Sequence, residues 1–286
     1  MSTPEPDFYA LMRKYNIKPR KSLGQNFLLD PAILDQIIQA AGVTKDADIL
    51  EIGAGLGSLT RFLANSARHV TTIELDKNLI PVLQEVLGIY SNVNLIQGDI
   101  LEIPVESLGL NPDYFVVANI PYYITSAVIR HLLESPEKPS RLLLTVQREV
   151  AQRICAAPGD MSLLALSVQV YGKPTITGRL PAGAFYPPPA VDSACVRVDI
   201  HPEPLIACEN LKLFFRVIKA GFSQKRKTLR NSLSAGLALR AEKTAVLLHE
   251  AEIDPMRRAE TLSINEWNML VQVMHHEIKT KKETGS

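Results

Sequence analysis

From residue 30 to residue 150, short apolar runs of strand type alternate with segments whose apolar residues recur at helical spacing, and this alternation constrains the fold more than any single motif. The runs are DILEIG, HVTTIEL, NVNLIQGD, YFVVAN and RLLLTVQ. Ahead of them, Asp30-Pro31 supplies an N-cap and a proline at the first helical position, and Ile33, Leu34, Ile37, Ile38 and Ala41 recur until Gly42. GSLTRFLANSA carries Leu59, Phe62 and Leu63 at the same spacing. NLIPVLQEVLG and TSAVIRHLLES read as further helices, the second opening on a Thr125 or Ser126 cap. Strands separated by helices of this length pack as right-handed βαβ units, which predicts an α/β fold with a mostly parallel sheet and helices on both faces. Ligands of such sheets bind beyond the carboxyl ends of the strands.

After Leu205 the strand signal disappears. LKLFFRVIKAGF, RKTLRNSLSAGL, EKTAVLLHEAEI and NEWNMLVQVMHHEI are helix-periodic, and Ser263-Ile264-Asn265-Glu266 is a capping box for the last. The change marks a small all-helical C-terminal domain, residues 205–286, separated near HPEP (201–204) from a larger domain, residues 1–204, that begins with an N-terminal arm, residues 1–29. The tail 279–286 is expected to fray.

At 286 residues and 46% hydrophobic content, the chain can bury a full core. It has no uninterrupted apolar run of about eighteen residues and no apolar leader at its start, so no membrane association and a cytoplasmic location are expected. Cys155, Cys195 and Cys208 form no CxxC pair, read as small buried hydrophobes, and imply no metal. The net charge of +1 hides two basic clusters. One runs from Lys212 to Arg230 with no acid in it, and the other comprises Arg13, Lys14, Lys18, Arg20 and Lys21. Such clusters on a near-neutral protein suggest a bound polyanion, or else two solvated faces.

The strand ends carry the chemistry. Glu51-Ile52-Gly53-Ala54-Gly55-Leu56-Gly57 follows the first strand and opens a helix, where glycines let a ligand approach the backbone. Its spacing is GxGxG, not the GxGxxG of a dinucleotide site. Glu74 ends the second strand and can take both hydroxyls of a ribose. Gly98-Asp99 ends the third, and its carboxylate can accept from an adenine amino group. Singly, these are an ordinary tight turn and two loop acids. At successive strand ends they suit an adenosine that carries a cationic sulfonium, which is S-adenosylmethionine. The fourth strand runs into Asn119-Ile120-Pro121-Tyr122-Tyr123. This is a turn-forming sequence, and it also offers an amide oxygen and a proline-flanked carbonyl to an NH2 group.

Gly24-Gln25-Asn26-Phe27-Leu28, EIGAGLGSLT, IELD, GDI, NIPYYIT, QREVAQR and FYPPPAVDS together resemble the ribosomal RNA adenine dimethyltransferases over residues 20–230, most closely the small-subunit (16S) branch. The resemblance implies a class I methyltransferase that transfers methyl groups from S-adenosylmethionine to N6 of two adjacent adenosines in the 3′-terminal hairpin loop of 16S rRNA. The partner would be that RNA within a small-subunit precursor, met by a monomer. It also implies that Asn26, Leu28, Gly53, Glu74 and Asp99 line the cofactor site, with Gly55, Asp76 and Ile100 as neighbours. Asn119 would serve both cofactor and target base. The family usually has Leu where Ile120 stands, and that position contributes only its backbone.

An aromatic amino group holds its lone pair in the ring and is a poor nucleophile. If the Asn119 amide oxygen and a carbonyl of Ile120 or Pro121 each accept one N–H, the nitrogen can pyramidalise toward the methyl. Tyr122 and, by the resemblance, Phe185 would stack on opposite faces of an extruded base. Phosphate contacts are expected from Arg148, Arg153, Lys225, Arg226, Arg230 and the basic arm. Two other readings of the motifs are a large-subunit dimethyltransferase of the macrolide-resistance type and a non-catalytic RNA-binding assembly or transcription factor.

Overall fold

A computed structural model describes residues 6–120 and 124–284, with side chains to residue 280. The elements in chain order are α1 (Phe8–Lys14), β1 (Phe27–Leu28), α2 (Pro31–Ala41), β2 (Asp48–Ile52), α3 (Ser58–Ser66), β3 (His69–Glu74), α4 (Ile80–Leu87), β4 (Val93–Gln97), β5 (Phe115–Ala118) and α5 (Thr125–Glu134). They continue with β6 (Arg141–Gln147), α6 (Arg148–Ile154), α7 (Leu163–Gln169), β7 (Gly172–Leu180), β8 (Phe185–Tyr186) and β9 (Ser193–Ile200). The last four are α8 (Leu211–Gly221), α9 (Leu229–Leu237), α10 (Ala241–Glu250) and α11 (Ile264–Thr284).

Seven strands form one sheet in the order β4-β3-β2-β5-β6-β9-β7. The β2–β3, β3–β4, β2–β5 and β5–β6 pairs are parallel, and β9 runs antiparallel to β6. The chain builds outward from β2 to β4, then returns to lay β5 on the other side of β2. That reversal opens a crevice at the carboxyl ends of β2 and β5. Every residue of β2 is buried, as expected of a central strand covered on both faces.

On one face Leu34 and Ile37 of α2 and Leu59 and Leu63 of α3 pack with Ile49, Val117 and Leu143. Each such side chain contributes about 1.5–3 kcal/mol through burial, so Leu63→Ala would cost about 2–5 kcal/mol once its cavity is included. Asp30 caps α2 by accepting from the Ala32 and Ile33 amides, and Gly42 ends it at φ 65°. The other face packs Leu79, Val82, Leu83 and Val86 against Phe8 and Met12 of α1.

The described part of the N-terminal arm packs on the sheet domain through Phe8 and Met12. Two of its basic residues are engaged there, Lys14 with Glu85 at 2.6 Å and Arg20 with Asp76 at 3.2 Å. The expected cap of α5 differs. The helix begins at Thr125, behind an Ile124 N-cap with no side-chain hydrogen bond, so Thr125 sits inside the first turn where its hydroxyl cannot cap. β7 and β9 fall where the sequence reading placed no strand, because the Pro- and Gly-rich stretch between them masks their pairing.

Contacts divide the chain into residues 1–151 with 174–200, and residues 152–173 with 201–286. The boundary expected at 201–204 thus falls at 200/201, and the segment 152–173 joins the helical unit. There the Gly159 and Met161 amides donate to the Glu260 carbonyl and the Leu205 amide donates to that of Val170, links that a linear reading cannot supply. In this second unit Trp267, Phe214, Val217 and Ile218 are buried. The capping box forms, with the Ser263 amide donating to Glu266 at 2.8 Å and the Glu266 amide to Ser263 Oγ at 3.3 Å. Helix α11 continues to Thr284, into the tail expected to fray, since no Pro or Gly interrupts it before Gly285. Of the cysteines, Cys195 is buried, Cys155 half-buried and Cys208 exposed, so only Cys195 is the small core residue expected of all three. No helix among the described residues is long and apolar enough to cross a membrane.

Candidate active site

The crevice is an open cavity of about 850 Å3, solvent at its mouth included. Gly53 lines it from the β2–α3 turn, Glu74 from the end of β3, Asp99 and Ile100 from the loop after β4, and Asn119 and Ile120 from the end of β5. Asn26, just before β1, and Phe185, within β8, close it at the β1–β8 pair. Pro121, Tyr122 and Tyr123 lie outside the described residues.

Gly53 has φ 81°, a conformation suited to glycine, and a Cβ there would stand 3.5 Å from the Asn119 carbonyl oxygen. Gly55 does not line the cavity. Its φ of 59° again suits glycine, and its amide donates to Glu74 Oε2 at 2.8 Å. Glu74 Oε1 accepts from the Asp76 amide at 2.8 Å. Backbone donors thus orient both carboxylate oxygens, and the carboxylate retains acceptor capacity for ligand hydroxyls. Burial pushes the Glu74 carboxyl above its ordinary range, against those same hydrogen bonds. Asp99 Oδ1 accepts from the Leu101 amide at 2.9 Å, which fixes its side chain at the start of a tight turn.

Leu28 is buried and paired opposite Phe185, so it supports the cavity wall without lining it. Asp76 is likewise buried behind the wall, where it receives Gln25 Nε2 at 2.9 Å and Arg20. Gln25, Phe27, Leu75 and Ile124 line the cavity but were missed. Their signal is proximity to the motifs, since each lies within a few residues of one.

Among the described residues, Glu74 and Asp99 are the only charged ones in the lining, and no lysine or arginine is among them. A phosphate would meet two carboxylates there, whereas a sulfonium-bearing adenosine meets acceptors for its hydroxyls and amino group and no repelling cation. The residues fit S-adenosylmethionine. Arg148 is exposed in the first unit, while Arg153, Lys225 and Arg226 are exposed and Arg230 half-buried in the second.

Sheet order and strand-end cavity together define a class I methyltransferase that uses S-adenosylmethionine. The family model described as ribosomal RNA adenine dimethylase matches residues 16–276, and the chain belongs to that family. It is 45% identical over 264 residues to the ribosomal RNA small subunit methyltransferase A of Dehalococcoides mccartyi, covering 92% of this chain and 91% of that one. Among solved structures, a dimethyladenosine transferase from Plasmodium falciparum is 27% identical with a TM-score of 0.74, covering 88% of this chain and 98% of that one. The 23S rRNA methyltransferase ErmE is also 27% identical, with a TM-score of 0.69 and coverage of 87% and 100%.

Proposed function

We propose that this enzyme dimethylates N6 of two adjacent adenosines in the 3′-terminal hairpin loop of 16S rRNA, acting as a monomer on a small-subunit precursor. The observation that carries the chemistry is the convergence of Gly53, Glu74, Asp99 and Asn119 on one cavity with no cationic side chain among its described lining residues. The small-subunit assignment is supported by relatives of that name at 45% and 43% identity over at least nine-tenths of the chain, against 27% for the 23S enzyme.

Glu74 would hold the ribose of the methyl donor, Asp99 its adenine, and Asn26 and Gly53 its remaining length. When bound, the donor supplies an electrophilic methyl group whose leaving sulfur becomes a neutral thioether. Asn119 Oδ1 accepts an N6–H of the target adenine, with a carbonyl of Ile120 or Pro121 as the second acceptor, so the nitrogen lone pair turns toward the methyl. These hydrogen bonds strengthen as the nitrogen becomes positive, favouring the transition state. The product cation is acidic enough to lose its proton to water. Phe185, with Tyr122 opposite, would clamp the extruded base, and Arg148, Lys225, Arg226 and Arg230 would contact phosphates.

The test is transfer of labelled methyl groups to undermethylated small subunits and, separately, to large-subunit RNA. Label confined to two adjacent small-subunit adenosines is expected. Label confined to large-subunit RNA would overturn the assignment, and tight RNA binding without label would favour a non-catalytic assembly role.

A further inference from the structure

Thr145 is the one hydroxyl in the otherwise apolar interior of β6, and it is 2% exposed. Its Oγ1 lies 2.5 Å from Asn119 Oδ1 and 3.4 Å from the Ala118 carbonyl oxygen. At the other end of the same amide, Asn119 Nδ2 lies 3.3 Å from the Asn26 carbonyl oxygen.

These contacts fix the orientation of the amide by elimination. A carbonyl oxygen only accepts, so the amide atom facing Asn26 is the nitrogen. The oxygen therefore faces Thr145, whose single proton goes to it as the nearer acceptor. Asn119 is thus held from two separate segments, the loop before β1 and strand β6. One lone pair of Oδ1 is taken by Thr145, and the other has no partner among the described residues.

We propose that Thr145 is a positioning residue that locks the Asn119 amide plane so the other lone pair of Oδ1 meets the target N6–H, with its greatest effect on the second methyl transfer. This rests on the N6-methyltransferase reading of the site. In the first transfer the amino group has two N–H bonds to share between two acceptors. The monomethylated nitrogen has one, so its alignment depends on a single hydrogen bond. In that second step the nitrogen lone pair forms the new N–C bond and the donor's C–S bond breaks with its electron pair passing to sulfur. The last N–H proton leaves to water. A freely turning amide would therefore penalise the second transfer more than the first.

Thr145→Val removes the donor at nearly constant shape, and Thr145→Ser keeps it. Two readouts apply, after melting curves confirm that both variants fold. The first is the side-chain amide signal of Asn119 in the free protein by 15N nuclear magnetic resonance, assigned by its loss in Asn119→Ala. The second is the proportion of monomethyl to dimethyl product on undermethylated small subunits. In Thr145→Val the amide signals should shift and exchange faster, and the second transfer should slow by about tenfold, the scale of one lost hydrogen bond. KM for the methyl donor should stay within about twofold. Thr145→Ser should restore both readouts. An unmoved amide signal, an unchanged product ratio, or a serine variant as impaired as the valine one would overturn the proposal. A wild-type protein that methylates no adenosine would overturn the site reading, and the assigned role with it, while the amide shift would still report the hydrogen bond.

Discussion

Leu28 and Phe185 face each other across the antiparallel pair of β1 and β8, with Phe27 opposite Tyr186. Two motifs about 150 residues apart are joined by this ladder, which sets Leu28 behind the cavity wall and leaves Phe185 in it at 5% exposure. Phe185→Leu keeps most of the buried volume and removes the aromatic face. Stability should fall by less than about 1.5 kcal/mol in thermal or urea denaturation. Methyl transfer should fall by roughly tenfold or more, in line with about 1–3 kcal/mol per stacked base. Unchanged transfer would return Phe185 to a packing role.

Asn119→Ala removes the acceptor aimed at the amino group. Transfer should drop by about two orders of magnitude or more while RNA affinity stays within a few fold. Single-turnover rates and filter binding measure the two quantities separately. Near-normal turnover would refute the hydrogen-bond role.

Glu74 needs its ionised form to offer both oxygens to ribose hydroxyls, and burial raises its pKa. Affinity for S-adenosylhomocysteine should therefore weaken as pH falls, starting above the range of an ordinary carboxylate. Calorimetric titration over a series of pH values measures it. Glu74→Gln should bind weakly at every pH with that dependence lost, and a wild-type affinity independent of pH would count against the assignment.

Glu51 is fully buried at the end of β2, where Thr60 and Thr72 both donate to Oε2 at 2.6 Å. Burial, opposed by those hydroxyls and reinforced by the charge of Glu74, pushes its pKa from 4.5 to about 7. Between those values the folded state keeps a proton that the unfolded chain has lost. This contribution is full below pH 4.5 and disappears as pH rises through about 7. Its size is on the order of 3 kcal/mol. Glu51→Gln, neutral throughout, should flatten the pH dependence of the melting temperature and gain stability relative to wild type above neutrality. Parallel pH profiles of the two proteins would show that Glu51 does not titrate this way.

Lys225 and Arg226 are exposed in the second unit, away from any acidic partner among the described residues. Replacing both with alanine should weaken RNA binding and lower the slope of log affinity against log salt by up to about one per residue. Affinity for S-adenosylhomocysteine should not change. An unaltered salt slope would make these residues a solvated surface.

Of the five strands between residues 48 and 147, β2, β3, β5 and β6 were legible as largely buried runs between helical segments, while the partly buried edge strand β4 was legible from its place between α4 and the Gly98-Asp99 turn. Glu74, Asp99 and Asn119 were legible for a related reason. A polar residue directly behind such a run sits at a carboxyl strand end, whatever the details of packing. β7 and β9 were hidden because β9 pairs with the more distant β6, and that register is set by the sheet and not by local spacing. The segment 152–173 was assigned to the wrong unit because its partners, such as Glu260, lie far along the chain.

The sequence by itself determined the alternation of strand and helix, the order of the strand-end residues, and the family motifs. Local propensity and hydrophobic period suffice for these, since they depend on neighbours in the chain. Only the tertiary structure decided that Leu28 and Asp76 stand behind the cavity and Phe185 within it. It also decided that the N-terminal basic residues are partly spent on Glu85 and Asp76, and that Thr145 holds the Asn119 amide. Each of these is a contact between segments remote in sequence, and which side chain meets which is fixed by sheet register and close packing.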